Sequence, residues 1–133
     1  MSSIIIVNRL LSRHPGVSGL VQNRIYPIQA PQMVDGPYIV TNETSIKDHP
    51  TTEGAGGYYK DRVTIETIAP SGDLALEIAQ QAMVCLDAVL DLKVDRYRDV
   101  TCLFAGVGMT DSNDRNNEAR RILRQYFVWW RLP

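Results

Sequence analysis

Disulfide chemistry is the first thing this 133-residue chain lacks: it holds two cysteines, Cys85 and Cys102, both in apolar runs. Two thiols are too few for a stapled framework, and their setting reads as buried, reduced side chains. A charge excess is lacking too. Fourteen basic against fifteen acidic residues give a formal net charge of −1, which removes the global electrostatic footprint of a domain that grips nucleic acid. No apolar stretch approaches the roughly 20 residues of a membrane-spanning helix. The opening Met1-Ser2-Ser3-Ile4-Ile5-Ile6-Val7 has no basic region before its apolar run and is interrupted at Asn8-Arg9, unlike an export signal. A soluble chain made in the cytoplasm, with no membrane partner, is expected.

Converging catalytic or metal-binding groups are also missing. His14 and His49 are the only histidines, one beside a helix stop and one in a polar loop, and neither has a second ligand at metal spacing. Asp111-Ser112-Asn113-Asp114 begins like a calcium loop, but Arg115, Asn116 and Ile122 occupy the fifth, sixth and twelfth places, so that reading fails. Gly54-Ala55-Gly56-Gly57 is followed by two tyrosines and a strand pattern instead of Gly-Lys-Ser/Thr and a helix. Gly106-x-Gly108 has Asp111 where a third glycine would stand, and no nucleophile elbow is present. The expectation is a protein with no catalytic residue, cofactor or metal.

What is present is one chain-length domain with an apolar fraction of 44%, large enough for a core of its own. Ser2 or Ser3 caps a first helix reaching about Ser12, with His14-Pro15-Gly16 as its stop. Ile6, Leu10 and Leu11 face the core, and Arg9 and Arg13 face water. A short helical turn covers Val17–Gln22. The stretch Arg24-Ile25-Tyr26-Pro27, Ala30-Pro31-Gln32 and Asp35-Gly36-Pro37 then packs three prolines into a stiff, extended connector with few ladder hydrogen bonds.

Tyr38 to Thr44 reads as a strand. The polar, glycine-rich run at 45–57 has too little apolar surface to fix one conformation and is predicted to be a mobile loop. Tyr59 to Ile68 alternates, with Tyr59, Val63 and Ile65 on one face and Lys60, Arg62, Thr64 and Glu66 on the other. Val100 to Met109 is a third strand and Thr110–Asn117 a turn. Arg120 to Arg131 is the last strand, in which adjacent Trp129 and Trp130 must point to opposite faces, one to the core and one to a partner. The order α-β-β-α-β-β predicts an α+β fold: a four-stranded, mainly antiparallel sheet packed by a long helix and an N-terminal helix.

The long helix starts at Pro70-Ser71-Gly72-Asp73 and is expected to reach Leu90 or Leu92. Leu74, Ile78, Cys85 and Val89 make one apolar face and Leu76, Met83 and Leu90 another, while Glu77, Gln80, Gln81, Asp87 and Asp91 leave a narrow wet edge. Such a helix is covered on more than one side, by the first helix or by a neighbouring subunit. Arg115, Arg120, Arg121, Arg124 and Arg131 crowd the C-terminal strand. They read as solubility charges on an open face, or as a docking patch for Glu77, Asp87 or Asp91 of another subunit.

Three blocks carry a family resemblance: Arg24–Val40; Tyr58-Tyr59-Lys60-Asp61-Arg62-Val63-Thr64-Ile65-Glu66 with the alanine-rich helix after it; and Arg121-Ile122-Leu123-Arg124-Gln125-Tyr126-Phe127-Val128-Trp129-Trp130. In order and spacing they resemble the tail completion, or tail terminator, proteins of tailed bacteriophages. The resemblance implies a non-enzymatic virion protein of the tail or neck, synthesised in the host cytoplasm. It implies a ring, usually a homohexamer, between the tail tube protein and a head-side connector or stopper, with DNA in transit through its channel. A closed heterologous ring needs two different complementary patches on each subunit. The main helix, through Leu76, Met83 and Leu90, is the first candidate. The connector, through Tyr26 and Tyr38, is the second, and Arg120, Arg124 and Trp130 complete the candidate interface. A head-tail adaptor or stopper shares the small size and ring symmetry, and a small nucleic-acid-binding module shares the element order. Limited proteolysis of the free subunit is expected to cut first within 45–57; full protection there would contradict a mobile loop.

Overall fold

The computed structural model describes residues 2–31, 34, 36–44, 58–87, 89–113 and 120–131. The element order is α1 (Ser2–Arg13), α2 (Pro15–Val21), β1 (Ile25–Pro27), β2 (Tyr38–Thr44), β3 (Tyr58–Ala69), α3 (Gly72–Asp87), β4 (Leu92–Val94), β5 (Tyr97–Asn113) and β6 (Arg120–Arg131). The strands form a single six-stranded sheet in the order β1-β2-β3-β6-β5-β4. All neighbours are antiparallel except β1 and β2, which run parallel. The four-stranded, mainly antiparallel sheet expected from the sequence is therefore wrong: among the described residues the sheet has six strands and is mixed, and three helices accompany it.

The two additional strands are three residues each, too short for any alternation to register. β1 lies inside the proline-rich connector. It is an edge strand, so Pro27 removes no ladder bond that another strand needs. Ile39 N–H donates to the Arg24 carbonyl at 3.0 Å and Ile28 N–H to the Thr41 carbonyl at 2.7 Å, joining β1 to β2. The connector returns on itself through Gly36, whose φ of 103° suits glycine. A Cβ there would stand 2.9 Å from the Arg24 guanidinium, which donates to the Pro37 carbonyl at 2.8 Å. That bond closes the loop back onto β2.

β4 follows from where α3 stops. The helix ends at Asp87, short of Leu90 or Leu92, and Val89 N–H donates to the Leu86 carbonyl at 3.1 Å. Asp91 then takes a φ of 50°, and Asp95 turns β4 into β5 with a φ of 54°; aspartate tolerates this region better than most residues. β5 starts three residues earlier than expected and runs through Asn113, into the predicted turn. His14-Pro15, read as a stop, also begins α2, with Pro15 in the first turn where its missing N–H costs no bond. The predicted loop at 45–57 lies outside the described residues.

Alternation along β3 and β6 sorts the side chains. Val63, Ile65, Thr67 and Ala69 are buried toward the helices, opposite Tyr126 and Ile122 of β6, while Val128 and Trp130 continue that face. Ser3 and Asn8 of α1 reach the same face, with hydrogen bonds to Asp61 at 3.2 Å and Thr41 at 2.8 Å. α3 lays Ala75, Ile78, Ala79, Ala82, Cys85 and Leu86 on it. That spacing of three and four residues is one helical stripe, and its alanines let the helix sit close. α2 packs on α3 where Gly16 meets Gln81: a Cβ on Gly16 would come within 2.1 Å of the Gln81 side-chain oxygen. Arg9 and Arg13 of α1 clamp Asp95 at 2.9 and 3.0 Å, tying the first helix to the β4–β5 turn.

Leu86, fully buried on the core stripe, is expected to cost about 2–5 kcal/mol when replaced by alanine. Val84→Ala on the opposite side should change monomer stability by about 0.5 kcal/mol or less. Urea unfolding of the two variants reads the difference.

Candidate functional site

The sheet face turned away from the helices is built by the other parity. β3 contributes Lys60, Arg62, Thr64 and Glu66; β6 contributes Arg121, Leu123, Gln125, Phe127 and Trp129; β5 contributes Thr101 and Leu103. Cross-strand pairing sets them in rows: Lys60, Trp129 and Thr101 in one, Arg62, Phe127 and Leu103 in the next. The Lys60 ammonium lies 4.4 Å from the Phe127 ring centre and 5.3 Å from that of Trp129, and the Arg62 guanidinium lies 5.1 Å from Phe127. Cations over aromatic faces gain from the ring quadrupole. Phe127 and Trp129 themselves meet at 5.9 Å. Leu103 is 52% exposed beside them. Further along, Arg121 pairs with Glu66.

A second aromatic pair marks the β1–β2 edge. Tyr26 and Tyr38, at 6.1 Å and edge to face, lie on this same outer face beside Val40 and Ile68. The connector thus brings its two candidate tyrosines together, both half-buried.

The second candidate surface is the outer side of α3. Asp73, Leu76, Glu77, Gln80, Val84 and Asp87 are all exposed there, at helical spacing and opposite the core stripe. Leu76 is 40% and Val84 59% exposed, and past the helix end Leu90 is 70% exposed. Met83 sits at the margin of this stripe, half-buried. α1 and α2 both contact α3, yet Leu76, Val84 and Leu90 remain uncovered.

Three expected residues are placed differently from one another. Trp130 is 5% exposed and stacks on Tyr59 at 5.6 Å, inside the core. Its neighbour Trp129 takes the outer face. Arg124 turns to the helix side with Tyr126, and Arg120 stands at the start of β6, paired with Ala69 and Asn113. The residues the sequence reading passed over are Lys60, Arg62, Phe127 and Val84. Counting parity back from Tyr126 and Val128, an apolar pair in phase with Ile122, places Trp130 inside and leaves Phe127 and Trp129 outside.

Chemistry elsewhere is sparse. Among the described residues no cluster of three or more His, Cys, Asp or Glu side chains could hold a metal, and no helix is long and apolar enough to cross a membrane. A groove of about 350 Å³ between α1 and β1 is lined by Ile4, Ile5, Asn8, Arg9 and Ser12 among others. Its one ionisable group in that set, Arg9, is engaged by Asp95. Desolvation pushes the Asp95 carboxyl upward, but hydrogen bonds from Arg9 and Arg13, with their charges, hold it below its ordinary value. Under α3, burial raises Cys85 from 9.0 to about 11. Burial, helped by the neighbouring Cys85, raises Cys102 to about 12. Burial also raises Tyr126 to about 12, against the lowering charge of Arg124. Burial thus keeps both thiols and the phenol protonated at neutral pH.

A chain in the solved structure of the virion of a native gene transfer agent particle shares this fold, with a TM-score of 0.73 and 18% identity over 96% of this chain and 92% of that one. At such identity the likeness speaks for the fold. No family model matches the sequence, and neither does any curated protein sequence.

The raised thiol and phenol values fix a sign. Above pH 9 the unfolded chain loses thiol protons that the native chain keeps up to about 11 or 12, so stability is fully present below pH 9 and falls as pH rises through this window. Urea midpoints are expected to decline from pH 9 to 11. At pH 8 a thiol reagent should label neither cysteine until urea is added; prompt labelling of the native protein would contradict the burial.

Proposed function

We propose that this chain is a structural virion protein of a phage-like particle. In this reading it forms a ring that caps the tail tube and joins the tail to the head-side connector, with DNA passing through the channel. The observation that carries it is the fold shared, over nearly the whole of both chains, with a component of a gene transfer agent virion. The position at the tail end and the hexameric ring come from the sequence blocks that resemble tail terminators. The surface agrees with a role in assembly. An apolar and acidic helix stripe and an aromatic and basic sheet face lie on opposite sides of the domain, as a heterologous ring requires.

The protein acts here as a fitted part and not as an enzyme. Cys85, Cys102 and Tyr126 are core groups held protonated by burial. The tail tube protein and the head-side connector are its axial partners, and DNA passes through the lumen without sequence-specific binding.

Electron microscopy of particles lacking the gene tests this directly. A tail terminator's loss should leave filled heads beside unjoined or over-long tails. Filled heads that fail to retain DNA, with tails of normal length, would assign the chain to a stopper or adaptor instead. Normal infectious particles would overturn the structural role.

A further inference from the structure

The outer stripe of α3 and the outer face of the sheet have opposite character. On the stripe, Asp73, Glu77 and Asp87 are interleaved with Leu76 and Val84, and no basic residue lies between Gly72 and Asp87. On the sheet, Lys60 and Arg62 are seated on Phe127 and Trp129 with exposed Leu103 alongside. We infer that each surface is the other's partner in a second copy of this chain: the α3 stripe of one subunit docks on the Lys60–Arg62–Phe127–Trp129 face of the next. This rests on the ring reading above and names the contact that closes it.

Spacing supports the match as well as sign. Asp73 and Glu77 are one helical turn apart, about 6 Å along the axis. Lys60 and Arg62 are two residues apart on one strand face, about 6.8 Å. A helix laid along β3 therefore sets two carboxylates against two cations at nearly equal intervals. Leu76 and Val84 would meet the rings and Leu103, removing apolar surface that the subunit leaves in water. The two surfaces lie on opposite sides of the domain, so the contact propagates from subunit to subunit and cannot be satisfied within one chain or by a two-fold dimer. A nearly balanced total charge is what such a pairing leaves behind: the acidic and basic surfaces cancel within each copy.

The alternative occupant of a basic, aromatic face is a nucleic-acid strand, whose phosphates and bases suit cations and rings. The complementary stripe on the chain itself favours the second copy.

A charge swap separates these possibilities. One variant carries Asp73→Lys and Glu77→Lys; the other carries Lys60→Glu and Arg62→Glu. Each alone sets like charges against like, and its self-association midpoint in light scattering should rise at least about tenfold. Mixed in equal amounts, the two should recover assembly at the wild-type concentration, in an alternating oligomer, because each swapped surface now finds its opposite. Circular dichroism and thermal melting establish that each variant is folded, and recovery on mixing does so independently. If the wild type assembles but the variants assemble equally well, the pairing is wrong while the ring stands. If only Lys60→Glu/Arg62→Glu loses binding to single-stranded DNA and assembly is unchanged, the face belongs to nucleic acid. Two folded variants that fail alone and also fail together overturn the pairing. A wild type that stays monomeric at high concentration, even with tail tube protein present, overturns the ring and the contact with it.

Discussion

Everything in this molecule hangs on the register of β3 against β6. The two strands pair over twelve positions, from Tyr58 with Arg131 to Ala69 with Arg120. Side chains on a strand alternate with a period of two, so this pairing decides for both strands which residues meet the helices and which do not. A slip of one residue in β6 would turn Tyr126, Val128 and Trp130 out of the core and Phe127 and Trp129 into it. It would also set Arg121 on the helix side, away from its partner Glu66. Burial of Val63, Ile65, Tyr126 and Val128 under α3 thus fixes the register. The outer face, with its stacked cations, follows as a consequence.

The helix side obeys the same economy. α3 carries apolar residues on both sides, but the two sides differ in kind. Inward, alanines alternate with Ile78, Cys85 and Leu86, which allows close approach to the sheet. Outward, Leu76 and Val84 stand exposed among Asp73, Glu77, Gln80 and Asp87. Exposed apolar groups rimmed by polar residues are a feature of contact surfaces. α1 and α2 both pack on α3, α2 at the edge near Gln81, and among the described residues Leu76 and Val84 stay exposed.

How much of this was legible in the sequence depends on element length. The long alternating run of β3, the helix after Ser71 and the aromatic strand β6 are visible because each repeats its pattern for at least ten residues. β1 and β4 are invisible for the opposite reason. β1 exists only because Arg24 and Gly36 fold the connector back beside β2, and β4 only because Asp91 and Asp95 accept positive φ where the helix pattern still ran on. Both depend on tertiary closure and not on local periodicity, so a four-stranded reading was the natural error. At the candidate site, the helix residues Leu76 and Leu90 were readable as surplus apolar surface. The choice between Trp129 and Trp130 turns on the phase of β6, which the buried series Ile122, Tyr126 and Val128 carries and the adjacent tryptophans by themselves do not.

The sheet is two-faced: its inner side makes the fold, and its outer side, in the proposed reading, makes the assembly. A side-chain-resolution reconstruction of the assembled oligomer by cryo-electron microscopy tests this most directly. It should show α3 of each subunit lying across Phe127 and Trp129 of its neighbour, with Asp73 and Glu77 near Lys60 and Arg62. A closed ring in which Phe127 and Trp129 line the open channel, with α3 facing solvent on the rim, would contradict it.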